Sequence, residues 1–478
     1  MQKALVKKVG VTYNKKKRRK RGRFDMADTI AAIASGKIPC AIGILRLSGD
    51  GCAEIAGQVF DLQAGIPLAQ APNRKLMLGT LRDLQGRVID QALAVYTRAP
   101  HTYTGEDTVE LQCHGSPAVL AAGLEALFAA GARQAGPGEF TKRAFLNGQM
   151  DLTQAEAVID LIDAETADAA ANAAGQVGGA LVRQLEPIYQ SLVDLCSHFH
   201  AVLDYPDEDI DEFRLENFSG VLQSATQQLE RLLGTCAQGQ YLKLGVATVL
   251  LGKPNVGKSS LLNALAGFDR VIVTDIAGTT RDTVEQTVKL GSTLFRLLDT
   301  AGIRETENEI EAMGVARSRA AAQEAELALF LCDSAAPLTQ EDRQAMQAAA
   351  TAKHAIGILN KADLPQAVSP AELPFDEVFS VSAKTGQGLD ALRQALAEKF
   401  SGGAPCDGSI LTNPRQAGAV RCAHAALERA LAGLQAQMTP DAVLLDVEAA
   451  MQAIGELTGK TIREDITQRI FSRFCVGK

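Results

Sequence analysis

The sequence predicts an α/β domain inserted into an α-helical domain, with an α+β domain in front of both. Short apolar strands alternate with helical patterns over residues 242–400, helical periodicity flanks that region on both sides, and β-rich runs mixed with Gly and Pro precede it. The expected boundaries are 26–143 for the α+β domain, 144–241 for the first helical part, 242–400 for the inserted domain and 401–478 for the second helical part.

The N-terminal 25 residues differ in charge from the rest of the chain. Residues 1–24 hold eleven Lys and Arg and no Asp or Glu, and such a run cannot fold alone because its charges repel. It is either a disordered nucleic-acid-binding arm or a start-site artefact with the true start at Met26, which we favour. The rest of the chain has 37 basic and 56 acidic residues. Because it is acidic, it is not expected to bind RNA through charge alone.

The bulk composition favours a cytoplasmic globular protein. No stretch predicts a membrane span or a secretory signal, and the nine cysteines include no CxxC pair, which argues against a disulfide framework or a zinc ribbon. Cys196, His198 and His200 form a C-x-H-x-H cluster that could bind a metal. On a helix His198 points away from the other two, so packing is the favoured interpretation.

In the N-terminal region, residues Ala41 to Leu47 and Val88 to Tyr96 predict strands, and Ala118 to Ala130 predict a helix. The following region is helical, and an acidic stretch at 204–212 is interpreted as a solvated turn between helices. One apolar helix face is predicted at Ala155, Val158, Ile159 and Ile162.

The inserted domain is predicted to contain an open, mainly parallel, doubly wound sheet. Its expected strands are Leu244–Leu251, Thr293–Leu298, Leu327–Cys332, Ala355–Leu359 and Glu377–Val381. Residues 401–405 predict a linker, after which apolar residues recur at helical spacing. These are Leu444, Val447, Met451 and Ile454, followed by Ile466, Ile470 and Phe474. This second helical part needs the earlier helices to bury its apolar faces.

Residues 252–259, Gly-Lys-Pro-Asn-Val-Gly-Lys-Ser, lie between an apolar strand and a helix, which is the context of a phosphate-binding loop. Glycines allow backbone amides to approach phosphates, and the helix N-terminus adds its positive dipole end. Lys258 is expected to reach the terminal phosphates and Ser259 to bind Mg²⁺.

Guanine selectivity is predicted by Asn360-Lys361-Ala-Asp363, which follows a strand at the far end of the sheet. An Asp carboxylate accepts hydrogen bonds from N1–H and the exocyclic amine of guanine, a donor pair that adenine lacks. The Asn side chain suits O6 and N7, and Ser382-Ala383-Lys384 is expected to close the base pocket.

Two further motifs complete a GTP-hydrolysing switch domain. Asp299-Thr300-Ala301-Gly302 is expected to hold Mg²⁺ through water and to sense the γ-phosphate, and Thr280 is expected to bind Mg²⁺ from a switch loop. The next residue, Ile303, stands where many GTPases keep the Gln that orients the attacking water. Either hydrolysis is very slow or another group positions the water, and several carboxylates are present within residues 304–311.

With Ile303, Asn255 in the phosphate loop and the split helical domain, the chain resembles the MnmE (TrmE) family, tRNA-modifying GTPases that act on the wobble uridine. The resemblance runs from about Asp28 to the C-terminus, where Cys475-Val-Gly-Lys478 is its most specific marker. The other markers are Thr104–Asp107, Pro137–Phe140, Arg143–Asn147, Asp151–Glu156 and Tyr205–Glu208.

The resemblance implies that the N-terminal domain binds a tetrahydrofolate derivative and forms a homodimer. Arg46, Glu110 and Lys478 match the family's folate-contacting positions. Gln149 stands where family members commonly have Lys, so it retains hydrogen bonding but loses a charge that could pair with the folate glutamate tail. Cys475 matches the tail cysteine that is expected to assist chemistry on the uracil ring.

The resemblance also implies that the G domains of the dimer pair when GTP and K⁺ are bound. Asn255, Thr274, Ile276 and Thr279 match the potassium ligands, and Glu311 matches the glutamate that orients the attacking water. The full set of expected nucleotide contacts is Asn255, Val256, Gly257, Lys258, Ser259, Ser260, Thr274, Thr279, Thr280, Asp299, Thr300, Ala301, Gly302, Asn360, Lys361, Asp363, Ser382, Ala383 and Lys384.

The implied partners are tRNA and the flavoprotein MnmG (GidA), which carries FAD and uses NADH, in a heterotetramer. Together they would add an aminomethyl or carboxymethylaminomethyl group to C5 of the wobble uridine. The alternative is a GTP-regulated RNA or ribosome assembly factor with no chemistry beyond hydrolysis, although such factors usually carry a basic RNA-binding module. A membrane-associated stress GTPase is less favoured, because no amphipathic basic helix supports it.

Overall fold

The chain forms two compact units, namely Met1–Asp151 with Arg463–Lys478, and Leu152–Ile462. The computed structural model describes residues 28–36, 38–204, 215–267, 286–298, 319–459, 470–471 and 474–477. Within these residues, no helix combines the length and the apolarity that crossing a membrane requires. The predicted acidic turn lies almost wholly outside the described residues, as does the basic N-terminal segment.

A seven-stranded sheet in the order β3-β4-β5-β6-β2-β1-β7 forms the first unit. All its pairs are antiparallel except β1–β7. The predicted strands and helix agree with β2, β5 and α2 to within one residue at each end. The elements are β1 Ile30–Ile33, β2 Cys40–Ser48, α1 Cys52–Gly57, β3 Phe60–Leu62, a 3-10 turn Leu68–Gln70, β4 Leu76–Arg82, β5 Val88–Thr97, β6 Thr108–Gly115, α2 Pro117–Ala129, β7 Arg133–Gln134 and α3 Glu139–Leu146.

One face of this sheet is buried and the other carries polar and partly exposed side chains. Leu45 and Leu47 of β2 alternate with the half-buried Arg46, as the period of two along a strand requires. Helix α2 covers the buried face closely, because a Cβ on Gly43 would lie 2.5 Å from the Leu120 side chain. The opposite face remains available for a ligand or a partner.

The described C-terminal residues group with this first unit, whereas the sequence predicts that residues 401–478 belong to the helical domain. Val476 forms a β-bridge with Pro137, and the Gly138 amide donates to the Cys475 carbonyl at 3.3 Å. The buried Phe474 packs with Phe471, at 5.4 Å between ring centroids. Periodicity indicated a helix here but could not show which unit buries these rings.

Helices before and after the inserted domain share one core in the second unit. Leu185, Leu192 and Leu229 of the first group pack in the same cluster as Val420 and Leu427 of the second. The prediction that the two helical parts bury each other is therefore confirmed. The helices are α4 Leu152–Ile162, α5 Ala167–Val177, α6 Ala180–Asp204, α7 Leu215–Gly234, α8 Cys236–Leu244, α12 Pro414–Gln435 and α13 Pro440–Thr458.

Two helix faces were predicted to be apolar and buried, one on α13 and one on α4. Leu444, Val447 and Ile454 of α13 are buried, and Met451 packs against them, as predicted. The face predicted on α4 is wrong at its end, since Ala155 is buried but Ile162 is 51% exposed. Helix α4 instead buries polar Glu156, which pairs with an arginine of α12.

The inserted domain contains a six-stranded sheet in the order β13-β12-β11-β8-β10-β9, and this confirms the predicted α/β fold class. All pairs are parallel except β10–β9, and β9 is not among the strands predicted from the sequence. The elements are β8 Val246–Leu251, α9 Lys258–Ala266, β9 Gln286–Leu290, β10 Thr293–Leu298, β11 Leu327–Asp333, α10 Gln340–Ala349, β12 His354–Asn360, a 3-10 turn Pro370–Glu372, β13 Val378–Ser380 and α11 Leu389–Phe400.

The two ends of the inserted domain are joined by the buried side chain of Gln238 on α8. Its amide nitrogen donates to the Ser401 and Ala404 carbonyls at 3.0 and 2.9 Å, and its oxygen accepts from the Ala404 amide at 3.2 Å. Because both polar atoms of this side chain are hydrogen-bonded, it fixes α8, which precedes the inserted domain, to residues 401–404, which follow it.

Candidate functional site

The phosphate loop begins where β8 ends and continues to the first residue of α9, Lys258. Two of its glycines have positive φ and no space for a side chain. A Cβ on Gly252 would lie 2.2 Å from the Leu331 carbonyl, and one on Gly257 would lie 2.3 Å from Asn360 Nδ2. Asn255 adopts a left-handed conformation with φ 63° and is exposed. The loop therefore turns tightly beneath an exposed asparagine.

Lys258 lies within this loop rather than pointing into solvent. Its ammonium donates to the Gly252 and Lys253 carbonyls at 2.5 and 3.0 Å. Burial lowers the pKa of Lys258 because desolvation disfavours the charged form. Ser259 and Ser260 lie in the first turn of α9, where Ser259 could hold Mg²⁺ beside a bound phosphate.

The Asn360 side chain connects the phosphate loop to the base-recognition loops. Its Nδ2 donates to the Val256 carbonyl at 2.7 Å, its Oδ1 accepts from the Ala383 amide at 3.1 Å, and the residue is 3% exposed. From the sequence, both ends of this amide are expected to face the guanine edge. In the structure both ends bind protein, so Asn360 holds three motifs together.

Asp363 and Ser382 meet beside this junction. The Ser382 hydroxyl donates to Asp363 Oδ1 at 2.6 Å and lowers the pKa of that carboxyl, which keeps it an ionised acceptor. The Lys361 ammonium lies 2.6 Å from Asp333 Oδ2 at the end of β11. Asp333 was missed from sequence, although its place at the carboxyl end of a parallel strand is where ligands bind in such sheets.

Lys384 is exposed directly after Ser382 and Ala383, and the remaining expected nucleotide-site residues lie outside the described residues. Of the proposed cation ligands, the structure therefore describes Ser259 and Asn255. Those outside are Thr274, Ile276, Thr279, Thr280, Asp299, Thr300, Ala301, Gly302, Ile303 and Glu311.

A second candidate site lies on the open face of the first unit's sheet. Arg46 on β2 stands directly opposite Glu110 on β6, and their side chains pair at 2.8 Å between Nε and Oε1. The guanidinium also lies 5.8 Å from the Tyr103 ring centroid and 5.7 Å from that of Phe140. Phe140 is buried but Tyr103 is 39% exposed, so the charged pair and the Tyr103 ring suit a ligand with flat rings and hydrogen-bonding edges.

The loop at residues 102–107 brings Gln149 toward the same region. Asn147 Nδ2 donates to the Thr104 carbonyl at 2.7 Å, and a Cβ on Gly105 would lie 3.0 Å from Gln149 Nε2. Tyr103 belongs to this loop and contacts Arg46. Three of the four expected folate contacts thus lie around one loop, and Lys478 lies outside the described residues.

A buried arginine supports this loop. Arg143 is 1% exposed, and its Nη atoms lie 3.0 to 3.2 Å from carboxylate oxygens of Asp28, Glu106 and Glu139. Burial raises the pKa of Glu139, but bonds from Arg133, the Gly136 amide and Arg143 outweigh it and lower the pKa to about 2. Three motifs that are separate in sequence are therefore held by one ionic network.

The predicted cysteine positions have different surroundings. Cys475 is exposed on the first unit, and its carbonyl accepts a hydrogen bond from the Gly138 amide.

In the C-x-H-x-H cluster of the second unit, Cys196 is buried with its sulfur 3.5 Å from the Met451 sulfur, while the His198 ring packs on Phe218. No group of three or more potential metal-binding side chains occurs among the described residues.

A phosphate loop, a base-recognition loop and a closing serine meet at the carboxyl edge of a mainly parallel sheet. Together they define a P-loop GTPase. The family model described as the MnmE helical domain matches residues 152–475, and the one described as the GTP-binding protein TrmE N-terminus matches residues 29–149. The chain belongs to the MnmE family and is a GTP hydrolase.

Relatives match this chain along nearly all of their own length. The tRNA modification GTPases MnmE of Symbiobacterium thermophilum and Geobacillus kaustophilus are each 42% identical to it. Each alignment covers 94% of this chain and 99% of the relative. Among solved structures, the G domain of the T. maritima FeoB iron transporter is 25% identical and covers 32% of this chain and 97% of its own, with a TM-score of 0.25.

Proposed function

We propose that this chain uses K⁺-dependent GTP hydrolysis to drive modification of the tRNA wobble uridine. The observation that carries the proposal is the presence in one chain of the phosphate-loop site and the separate Arg46–Glu110 site. Its relatives, which match along their whole length, are named as tRNA modification GTPases. An assembly factor without modification chemistry would have no use for the second site.

Nucleoside mass spectrometry of tRNA from cells lacking the protein tests this function. Loss of the C5-substituted wobble uridine, restored by the wild-type gene, is the expected result. Unchanged wobble uridine together with abnormal ribosomal particles would instead favour the assembly-factor alternative. An Arg46→Ala variant, which should hydrolyse GTP normally but fail to restore the nucleoside, separates the two sites.

Potassium dependence is proposed for the nucleotide site, with Asn255, Thr274, Ile276 and Thr279 as ligands. The support is the exposed, left-handed Asn255, whose side-chain oxygen is available to a cation beside the phosphates. Glu311 is proposed to orient the attacking water. Hydrolysis should rise sharply when Na⁺ is replaced by K⁺, and this difference should be lost in Asn255→Ala. Equal wild-type rates in both salts would rule the cation out.

A tetrahydrofolate derivative is the proposed ligand of the Arg46–Glu110 site. Its flat ring system suits the neighbouring exposed ring of Tyr103, and its polar ring edge suits the paired charges. Gln149 and Lys478 complete the proposed set. Because Lys can pair with the folate carboxylates, Gln149→Lys should tighten tetrahydrofolate binding in titration calorimetry. Weaker binding would contradict the charge argument.

Homodimerisation is proposed to use the open face of the N-terminal sheet. Leu76 and Leu78 of β4 are 46% and 48% exposed there, and they pair in register with Val95 and Leu93 of β5. Such an exposed apolar row is typical of an interaction surface. Replacing Leu78 with Asp should shift the protein to monomer in light scattering, while an exposed control, Leu364→Asp, should not.

The flavoprotein MnmG (GidA) is the proposed partner, contributing FAD and NADH oxidation within a heterotetramer. Cys475, exposed on the first unit, is proposed to assist the chemistry on the uracil ring. Cys475→Ser should abolish modification while leaving GTP hydrolysis unchanged. Retained modification in that variant would remove the cysteine from the reaction.

A further inference from the structure

Lys253 is the phosphate-loop residue whose side chain leaves the loop and binds a helix. Its ammonium lies 2.8 Å from Asp342 Oδ2 on α10, and the two side chains are 18% and 1% exposed. The same carboxylate oxygen accepts from the Thr339 amide at 2.9 Å and the Thr339 hydroxyl at 2.7 Å. Asp342 is therefore held in place by its own helix before Lys253 reaches it.

The charge state of this pair follows from these contacts. Burial raises the pKa of Asp342, but the bonds from Lys253 and Thr339 outweigh it and lower the pKa. The carboxylate is therefore ionised, and removing Lys253 would leave a buried charge with only the Thr339 donors. Although exposed ion pairs contribute little, this one is enclosed on the carboxylate side.

The backbone of Lys253 carries a second contact within the loop. Its carbonyl accepts from the Lys258 ammonium at 3.0 Å, and the left-handed Asn255 follows two residues later. A shift of Lys253 would therefore move the lysine expected at the terminal phosphates and the asparagine together. The Asp342 carboxylate controls that shift from outside the loop.

We propose that Asp342 is a positioning residue for GTP hydrolysis, which fixes the phosphate loop in its nucleotide-binding shape through the ion pair with Lys253. Asp342 belongs to none of the nucleotide motifs in the sequence. It acts through the loop backbone. Side chains that pack behind a binding loop, as Asp342 does here, determine how well the loop fits its ligand.

Release of a fluorescent GDP analogue from the full-length protein tests the proposal. Lys253→Met and Asp342→Asn should each release the analogue about tenfold faster and raise KM for GTP more than they lower kcat. Asparagine can still accept from Thr339, so Asp342→Asn keeps the helix cap. The double variant should be no worse than the more severe single variant, because both changes remove one interaction. Lys253→Arg, which retains the charge, should behave like the wild type.

Lys399→Met is the matched control, since Lys399 pairs with Glu377 at 2.7 Å in the same domain but at the amino end of β13. Both side chains of this control pair are more exposed, at 28% and 38%, so its loss should lower the thermal unfolding midpoint less than Lys253→Met does and should leave GDP release unchanged. A purely structural role would give the opposite result for Lys253→Met and Asp342→Asn: lower midpoints with GDP release within about twofold of the wild type. Should one of these variants fail to fold, the other decides between the outcomes.

Discussion

Removing the Asn360 side chain should loosen the phosphate loop and the 382–386 loop at the same time. Asn360→Ala deletes two hydrogen bonds, a buried one at 2.7 Å to the Val256 carbonyl and a partly buried one at 3.1 Å from the Ala383 amide. Each bond contributes about 1 kcal/mol net. The Val256 carbonyl is left buried, since Val256 is 1% exposed, and an unsatisfied buried acceptor costs about 1 kcal/mol or more.

The expected loss of local stability is therefore about 3 kcal/mol. Because each 1.4 kcal/mol is tenfold in an equilibrium constant, amide exchange limited by local opening should accelerate by about 10²-fold. Hydrogen exchange measured by mass spectrometry on peptides covering residues 252–260 and 382–386 reports this directly. A global unfolding curve is less suitable, since a chain of two compact units need not unfold in one step.

Asn413→Ala is the control, because Asn413 accepts one hydrogen bond from the Arg415 amide at 2.9 Å at the start of α12. Its loss should leave exchange in both peptides unchanged. The reasoning would be refuted if Asn360→Ala abolished GDP binding while exchange in both peptides stayed at the wild-type rate. That result would mean that Asn360 acts on the base directly, as the sequence alone suggested, and does not connect the loops.

Three other predictions concern the acid stability of the first unit, the stability of the helical core and a steric clash in the phosphate loop. The pKa of Glu139 is lowered from 4.5 in the unfolded chain to about 2 in the folded protein, so its ionisation stabilises the folded state by about 3 kcal/mol. This contribution is complete above pH 4.5 and is lost as the pH falls toward 2. Glu139→Gln should therefore flatten the acid unfolding curve between these two pH values. Glu156→Ala should destabilise the helical core by about 3 kcal/mol, because it removes both carboxylate oxygens from Arg415 Nε and Nη2, and an unchanged thermal midpoint would contradict this. Gly257→Ala should weaken GDP binding at least tenfold, because its methyl group would collide with Asn360 Nδ2; normal affinity in calorimetry would show that the loop can adjust.

The order of elements in the inserted domain could be predicted because each motif directly follows an apolar strand. Leu251, Asn360 and Ser380 end parallel strands, so topology alone brings the loops after these strands to one edge of the sheet. The antiparallel strand β9 could not be predicted in the same way. It is short and polar in part, and its pairing with β10 depends on a register that only the sheet provides.

The N-terminal site was accessible from sequence only through family resemblance. Arg46 and Glu110 are 64 residues apart, and no local pattern indicates that they stand opposite each other in a sheet. The rings of Tyr103 and Phe140 beside them come from a loop and a helix. Contacts of this kind depend on the packing of distant segments, which residue type and spacing do not specify.

Asp333 and Asp342 were not predicted from the sequence because their contacts with the nucleotide loops also join distant segments. These contacts affect how the loops of the nucleotide site move. Asn360 ties the phosphate loop to the 382–386 loop, Lys253 ties the phosphate loop to α10, and Lys361 ties the base motif to β11. A ligand that shifts one of these loops must therefore work against contacts made by the others. Phosphate binding and base recognition are consequently expected to be coupled, and the coupling free energy must be the same in both directions. Nucleotide exchange in this domain should thus proceed by concerted loosening of the loops, not by release of the base or the phosphates alone.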